Sequence, residues 1–389
     1  MALDIAAVQE HLAKDGLDGW LLYDFHGSNP IARKLAGVGD RHTTRRWYYF
    51  IPRAGSPLKV VHAIEPNVLD DVPGDRRTYG GRRELEERVR GALGRARKVA
   101  MEFSPQGAIP YVSRVDGGTI DFVRGLGAEV VSSGDLVGRF EAAWDAAALA
   151  THRDASARLY AIKDQAFALV RARLASNTAV HELEVQQAMA GWMADAGLVT
   201  DSPPIVAAQE HAGNPHYAPS PAVSRPIQSN EVLVLDLWGK IGRPGAVYAD
   251  ITWAGFSGEP PNDVADVFRA VVAARDAAIA LVQARITRGE DLRGWEVDRA
   301  ARDVVARAGY GDRFIHRTGH SLGEEVHGNG VHMDDYETHD DRRLLPGTGF
   351  TIEPGVYLPA FGIRSEINMV VGPGSAEVTG PCQTELVRL

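Results

Sequence analysis

The sequence predicts an α/β (α+β) protein of two domains. The first is an α/β domain over residues 1–145; the second, over residues 146–389, is a pattern used twice about a pseudo-two-fold axis. Three observations carry this. Short apolar runs alternate with helical stretches through the first part of the chain. Beyond it, helix, helix and hairpin follow one another twice. Acids stand at matching places in the two hairpins.

In the first domain Ile5, Val8 and Leu12 share one face of a helix over residues 3–14, which Gly16 stops. Trp20–Tyr23 reads as a buried strand. WYYFI at 47–51, KVVHAI at 59–64, KVAMEF at 98–103 and AEVVSS at 128–133 read as further strands, and the charged RRELEERVRGALGRA as a helix between them. An Ala-rich helix opens the second domain within EAAWDAAALATHRDASARL. Helices at 151–176 and 181–196 lead to a strand pair, EVLVLDLWGK and AVYADITWAGF. Helices at 263–286 and 293–308 lead to a second pair, GFTIEPGVYL and FGIRSEINMVV.

Composition narrows the function. With 42 Lys and Arg against 51 Asp and Glu, the net charge is -9, which argues against a nucleic-acid partner, since phosphate binding needs a basic face. One cysteine, Cys382, allows no internal disulfide and no Cys-rich zinc module. The opening residues MALDIAAVQEHLAKDG lack the apolar stretch of a signal peptide, and no window reaches the ~18 apolar residues of a membrane span. A cytoplasmic protein with no membrane partner is expected.

The acids are the informative feature. Asp236 and Asp250 lie in the first strand pair, Glu353 and Glu366 in the second. Taken singly, each has an ordinary explanation: a strand end for Asp236, a hairpin acid for Asp250, a turn before Pro354-Gly355 for Glu353, a surface ion pair with Arg364 for Glu366. Taken together, acids inside apolar strands are costly unless something positive sits beside them. Four in matching places, with His320 in the glycine-rich GHSLGEEVHGNG, point to one shared cation site. Carboxylates with one imidazole make a hard, oxygen-rich ligand set. It suits manganese (Mn2+), with zinc or cobalt as alternatives.

The order Asp236, Asp250-Ile-Thr252, Gly319-His320 with Val326-His327, Glu353-Pro354-Gly355 and Gly362-Ile363-Arg364-Ser365-Glu366 resembles the M24 metallopeptidases of the pita-bread fold, in the branch of the Xaa-Pro peptidases, prolidase and aminopeptidase P. The motifs span about residues 205–370; the N-terminal part is similar to the creatinase-type domain only in general pattern. The resemblance implies two divalent metal ions, with Asp250 and Glu366 bridging them, Asp236 on one, and His320 and Glu353 on the other. It implies that His327, His316, His216 and Arg364 contact the substrate, a short proline-containing peptide, and that the chain forms a homodimer.

Each of these also has a plainer reading. His216 is equally a loop histidine, with His211 as a rival; His332 and His339 read as surface histidines. HELE at 181–184 is not the zinc-protease HExxH, because position 185 is Val. Trp238 stands where the family usually has glycine, the loop before Asp250 is longer, and Trp253-Ala254 replaces a common Arg-Thr.

The implied reaction is attack of activated water on the carbonyl before proline, with Glu353 moving the proton to the leaving nitrogen and His327 or His316 stabilising the oxyanion. A dipeptidase (prolidase) is expected before an aminopeptidase P. A non-peptidase C–N hydrolase or lyase on the same fold, or a metal-free binding protein, are the rival classes.

Overall fold

The computed structural model describes residues 3–389. The chain divides into two compact units, one up to Glu141 and one from Ala142, where the sequence placed the division after residue 145.

In the first unit α1 (Ile5–Lys14) is capped by the Asp4 side chain and followed by β1 (Gly19–Asp24), α2 (Pro30–Leu35), β2 (Trp47–Pro52), β3 (Leu58–His62) and β4 (Asp75–Tyr79). Then come α3 (Arg82–Leu93), β5 (Lys98–Met101), α4 (Gly117–Gly125), β6 (Glu129–Ser132) and α5 (Gly134–Phe140). The strands form one sheet in the order β4-β3-β2-β1-β5-β6. Alternation along the strands builds two cores. Trp20, Leu22, Trp47, Tyr49 and Ile51 pack with α1, α2 and α5, while Leu21, Tyr23, Tyr48 and Phe50 pack with α3 and α4. The sequence reading overlooked β4, because DRRTY carries no apolar run. It is an edge strand, parallel to β3, and needs none.

The second unit opens with α6 (Ala146–Ala175), capped by Asp145, then α7 (Glu182–Asp195), β7 (Leu198–Val199), β8 (Ile205–Ala208), β9 (Val232–Ile241) and β10 (Ala249–Phe256). The pattern repeats with α8 (Asn262–Thr287), α9 (Gly294–Arg307), β11 (Ser321–Leu322), β12 (Gly349–Ile352), β13 (Gly355–Tyr357), β14 (Gly362–Arg364) and β15 (Ile367–Gly372). The chain ends with β16 (Ser375–Val378) and β17 (Val387–Arg388). One sheet runs β17-β10-β9-β7 with β8 also on β9; a second runs β11-β12-β15-β16; β13 pairs with β14.

The expected second hairpin is broken in two. Ile352 pairs with Ile367 and Gly355 with Arg364, so both pieces keep one register and the interruption falls at Glu353-Pro354 and Ser365-Glu366. Pro354 has no N–H for the ladder. The backbone there is used elsewhere: Glu353 N–H donates to Thr318 O at 2.7 Å and Glu366 N–H to Thr252 O at 3.1 Å.

One face of the first hairpin sets up the site. Leu233, Leu235, Leu237, Ala249 and Ile251 pack on α6 and α7. The other face is apolar at one end, with Val232, Val234, Ala254 and Phe256 in the α8–α9 core. It then turns polar: Asp236 lies opposite Thr252, and Asp250 opposite Trp238.

Candidate metal centre

All four acids and His320 converge. Asp236, Asp250, His320 and Glu366 are buried, and Glu353 nearly so. Ligand atoms of Asp250, His320 and Glu366 lie within 4.8 Å of one another. The His320 Nε2 is 3.5 Å from Asp250 Oδ2 and 3.4 Å from Glu353 Oε1. Asp236 pairs through its Oδ2 with Arg364, the partner the sequence reading had given to Glu366.

Local structure fixes each of these side chains. His320 N–H donates to Thr351 Oγ1 at 2.9 Å, and Thr351 Oγ1 donates to Glu353 Oε1 at 3.0 Å. This close approach needs glycine at 319, where a Cβ would lie 2.0 Å from Thr351 O. Asp250 N–H donates to Asn368 Oδ1 at 2.9 Å, and the Asn368 amide returns a bond to Asp250 O. Thr252 Oγ1 donates to Glu366 Oε2 at 2.7 Å and accepts from Arg364 Nε at 3.0 Å.

The donor set fits a cation. The Ser321 carbonyl, 3.2 Å from His320 Nδ1, can only accept, so Nδ1 carries the hydrogen and Nε2 turns a lone pair towards the acids. Asp250 Oδ1 and Glu366 Oε1 are buried with no hydrogen-bond donor. Lone pairs facing one another in a buried space are what a bound metal would satisfy. Burial, then mutual repulsion with Asp236, holds the Asp250 carboxyl well above the usual carboxylate range; burial and repulsion from Asp250 and Glu353 do the same to Glu366. Glu353 is raised too, by burial, although His320 and Arg364 pull it back. Burial keeps His320 neutral, as a ligand must be.

Around this cluster runs a hydrogen-bonded chain. Arg364 Nη1 donates to Tyr357 Oη at 2.9 Å, Tyr357 Oη donates to His316 Nε2 at 2.8 Å, and His316 Nδ1 donates to Arg317 O at 2.7 Å. Burial and the Arg364 charge push His316 down to about 3, so this ring is neutral and its Nε2 an acceptor. The His327 ring stands 4.3 Å from His320, edge on at 79°. It is reached by solvent, and burial, then His320, Arg317 and His216, still pull its proton affinity down. His216 is exposed and follows Pro215, whose carbonyl is 3.5 Å from Arg364 Nη1. Its rival His211 is committed elsewhere: it stacks on Tyr217 and bonds Glu182 at 3.0 Å.

One histidine departs from expectation. His332 is fully buried, not a surface residue. Met333 bridges to Gly319, which lays this segment against His320, and His332 Nδ1 accepts from Ser321 N–H at 3.1 Å. His339 is exposed, as expected, and pairs with Asp335.

Sequence reasoning gave no role to Tyr357, Asn368 or Glu182. Asn368 had a signal, two residues after Glu366 on a strand; Tyr357 and Glu182 had none. Glu182, fully buried, accepts from Ala208 N–H at 2.8 Å, Tyr217 Oη at 2.6 Å, His211 Nδ1 at 3.0 Å and Arg225 N–H at 3.1 Å. It therefore folds the segment that carries His216.

The chain is similar to several known peptidases. A probable dipeptidase, PepE, of Mycobacterium tuberculosis is 34% identical over 184 residues, which is 47% of this chain and 45% of that protein. The Xaa-Pro dipeptidase of Lactobacillus delbrueckii subsp. lactis is 35% identical over 164 residues, 42% of this chain and 40% of that protein. The match thus spans less than half the length of these curated relatives. The crystal structure of dipeptidase PepE from Mycobacterium ulcerans superposes with a TM-score of 0.69 at 26% identity, covering 99% of this chain and 96% of that one. The repeated helix–helix–hairpin unit is the pita-bread fold. The model of metallopeptidase family M24 matches residues 150–373, more than half of the sequence and all of the acid cluster, and the chain belongs to that family.

Proposed function

We propose that the protein is a dinuclear-metal hydrolase that cleaves the Xaa-Pro bond of short peptides, with Xaa-Pro dipeptides preferred, as a prolidase does. One observation carries this reading: the His320 Nε2 lone pair and the donorless oxygens of Asp250 and Glu366 face one buried space. Asp236, Asp250, His320, Glu353 and Glu366 would hold two ions, with manganese favoured by so many oxygens and zinc or cobalt as alternatives. When bound, the metal supplies Lewis acidity and makes water acidic enough to react near neutral pH.

The chain's own residues do the rest. Glu353 lies at the edge of the cluster with a raised proton affinity, suited to accept a proton from the attacking water and deliver it to the proline nitrogen. That nitrogen carries no N–H once acylated, so an enzyme for this bond cannot grip it as general proteases do. His327, neutral and reached by solvent beside His320, donates to the carbonyl oxygen as charge develops there. Arg364 holds Asp236 and Tyr357, and its charge marks the end of the cluster where a proline carboxylate is favoured. Tyr357 Oη, donating to His316 Nε2, orients that ring for substrate contact. His216 closes the same side from its loop.

Relatives named dipeptidases support the short-substrate reading. Aminopeptidase P is the second reading, since it needs the same ligands. Two copies pairing as a homodimer and a cytoplasmic setting complete the proposal; among the described residues no helix is long and apolar enough to cross a membrane. The test is metal analysis with turnover of Ala-Pro and Ala-Pro-Ala, before and after chelation and reloading with manganese. Metal-dependent release of proline from Ala-Pro supports the reading; a higher kcat/KM for Ala-Pro-Ala reverses it to aminopeptidase P; no metal and no turnover sinks it. Light scattering at micromolar concentration checks the dimer.

A further inference from the structure

The site face of the first hairpin continues past the ligands. Side chains two apart on a strand share a face, and register partners lie side by side. Asp236 and Thr252, then Trp238 and Asp250, therefore follow each other along one surface. Arg364 sits on the first of these pairs. The second has a different neighbour. The half-buried Trp238 donates its indole N–H to Asp201 Oδ1 at 2.7 Å. Asp201 is exposed, on the turn from β7 into β8. Next along the face Lys240 lies over the Tyr248 ring and bonds the Glu324 carbonyl, so the charge in contact with the indole is that of Asp201.

We infer that Trp238 and Asp201 form the subsite for the side chain of the residue before the scissile bond, and that this subsite favours a basic residue, lysine or arginine, over an acidic one. An aromatic ring beside an exposed carboxylate is the combination that takes an ammonium or guanidinium group. The free α-amine is common to every dipeptide and cannot discriminate among them, so selectivity falls to the side chain. The inference rests on the dipeptidase reading above.

The test is steady-state kinetics of the manganese-loaded protein on Lys-Pro and Glu-Pro, with Lys-Ala and Glu-Ala in parallel. For the wild type, kcat/KM for Lys-Pro exceeds that for Glu-Pro by about tenfold, the scale of one charge pair that solvent reaches. The ratio falls as salt is raised. Asp201→Asn brings it close to one, through KM rather than kcat. Trp238→Phe, which keeps a ring but loses the donor, moves it part of the way. A wild-type ratio near one, or a ratio unmoved by Asp201→Asn, overturns the subsite and leaves the dipeptidase reading standing. Cleavage of the alanine peptides alone overturns the proline reading, and the Lys-Ala to Glu-Ala ratio then decides the subsite by the same criteria. No turnover of any of the four overturns both.

Discussion

Glu353 and Glu366 stand opposite each other at the interruption of a single hairpin register, between the Ile352–Ile367 and Gly355–Arg364 pairs. In an unbroken ladder the two carboxylates would be a repulsive cross-strand pair. With the ladder open, both backbones bond elsewhere, and both side chains reach the acids of the first hairpin.

Removal of a central acid is the most direct check. Asp250→Ala or Glu366→Ala lowers bound metal below two ions per chain and reduces kcat/KM by at least ~10³-fold, the upper range for one transition-state contact. Elemental analysis alongside the Ala-Pro assay reads both. Full activity with two ions in either variant would show that these acids are not ligands.

His327→Ala retains its metal and loses at least ~10²-fold in kcat. The ring stands edge on to His320, 4.3 Å away. Metal loss in this variant would make it a ligand instead.

Tyr357→Phe separates positioning from binding. It leaves Arg364 Nη1 and His316 Nε2 without their shared partner, which costs about 1–3 kcal/mol of stability, the desolvation of an unpaired buried group. Metal content stays at the wild-type level while kcat falls roughly tenfold, and the pH profile shifts because His316 Nε2 loses the donor that opposes its protonation. An unchanged profile would leave Tyr357 a packing residue.

Chelation and pH act together. In the metal-free protein the carboxyls of Asp250, Glu366 and Glu353 lie above their unfolded values. The folded state therefore binds more protons than the unfolded one, and this contribution to stability is lost as pH rises through the folded values. Metal bound by these carboxylates would take the place of those protons. The Tm gap between loaded and chelated protein should widen from pH 5 to pH 8, reaching about 10 °C. A gap that is constant or narrows on raising pH contradicts the assignment.

Much of this was legible in advance because one unit is used twice. Apolar runs gave β9 and β10, and the acids gave themselves away by interrupting those runs at Asp236 and Asp250. The second hairpin was harder: GFTIEPGVYL reads as one strand, and only Pro354 hints at the break. Tyr357 lies beyond it, so strand spacing from Glu353 could not place it. His332 was misread because its burial comes from Met333 pairing with Gly319, a contact between segments that no local pattern announces. Glu182 sits one residue after His181, in a motif that fails as a metal site, and its partners lie 26 to 43 residues away.

That buried carboxylate has a practical consequence. Glu182 draws together Ala208 and Arg225, the two ends of the segment carrying His216, and grips Tyr217 midway. The ends of the loop are thus closed independently of what lies between them, and lengthening a closed loop costs little chain entropy. Residues inserted between Ala218 and Ser224 would leave all four bonds to Glu182 in place and the acid cluster untouched. Here an engineer, or natural drift, has room to redraw the mouth of the site without rebuilding its floor.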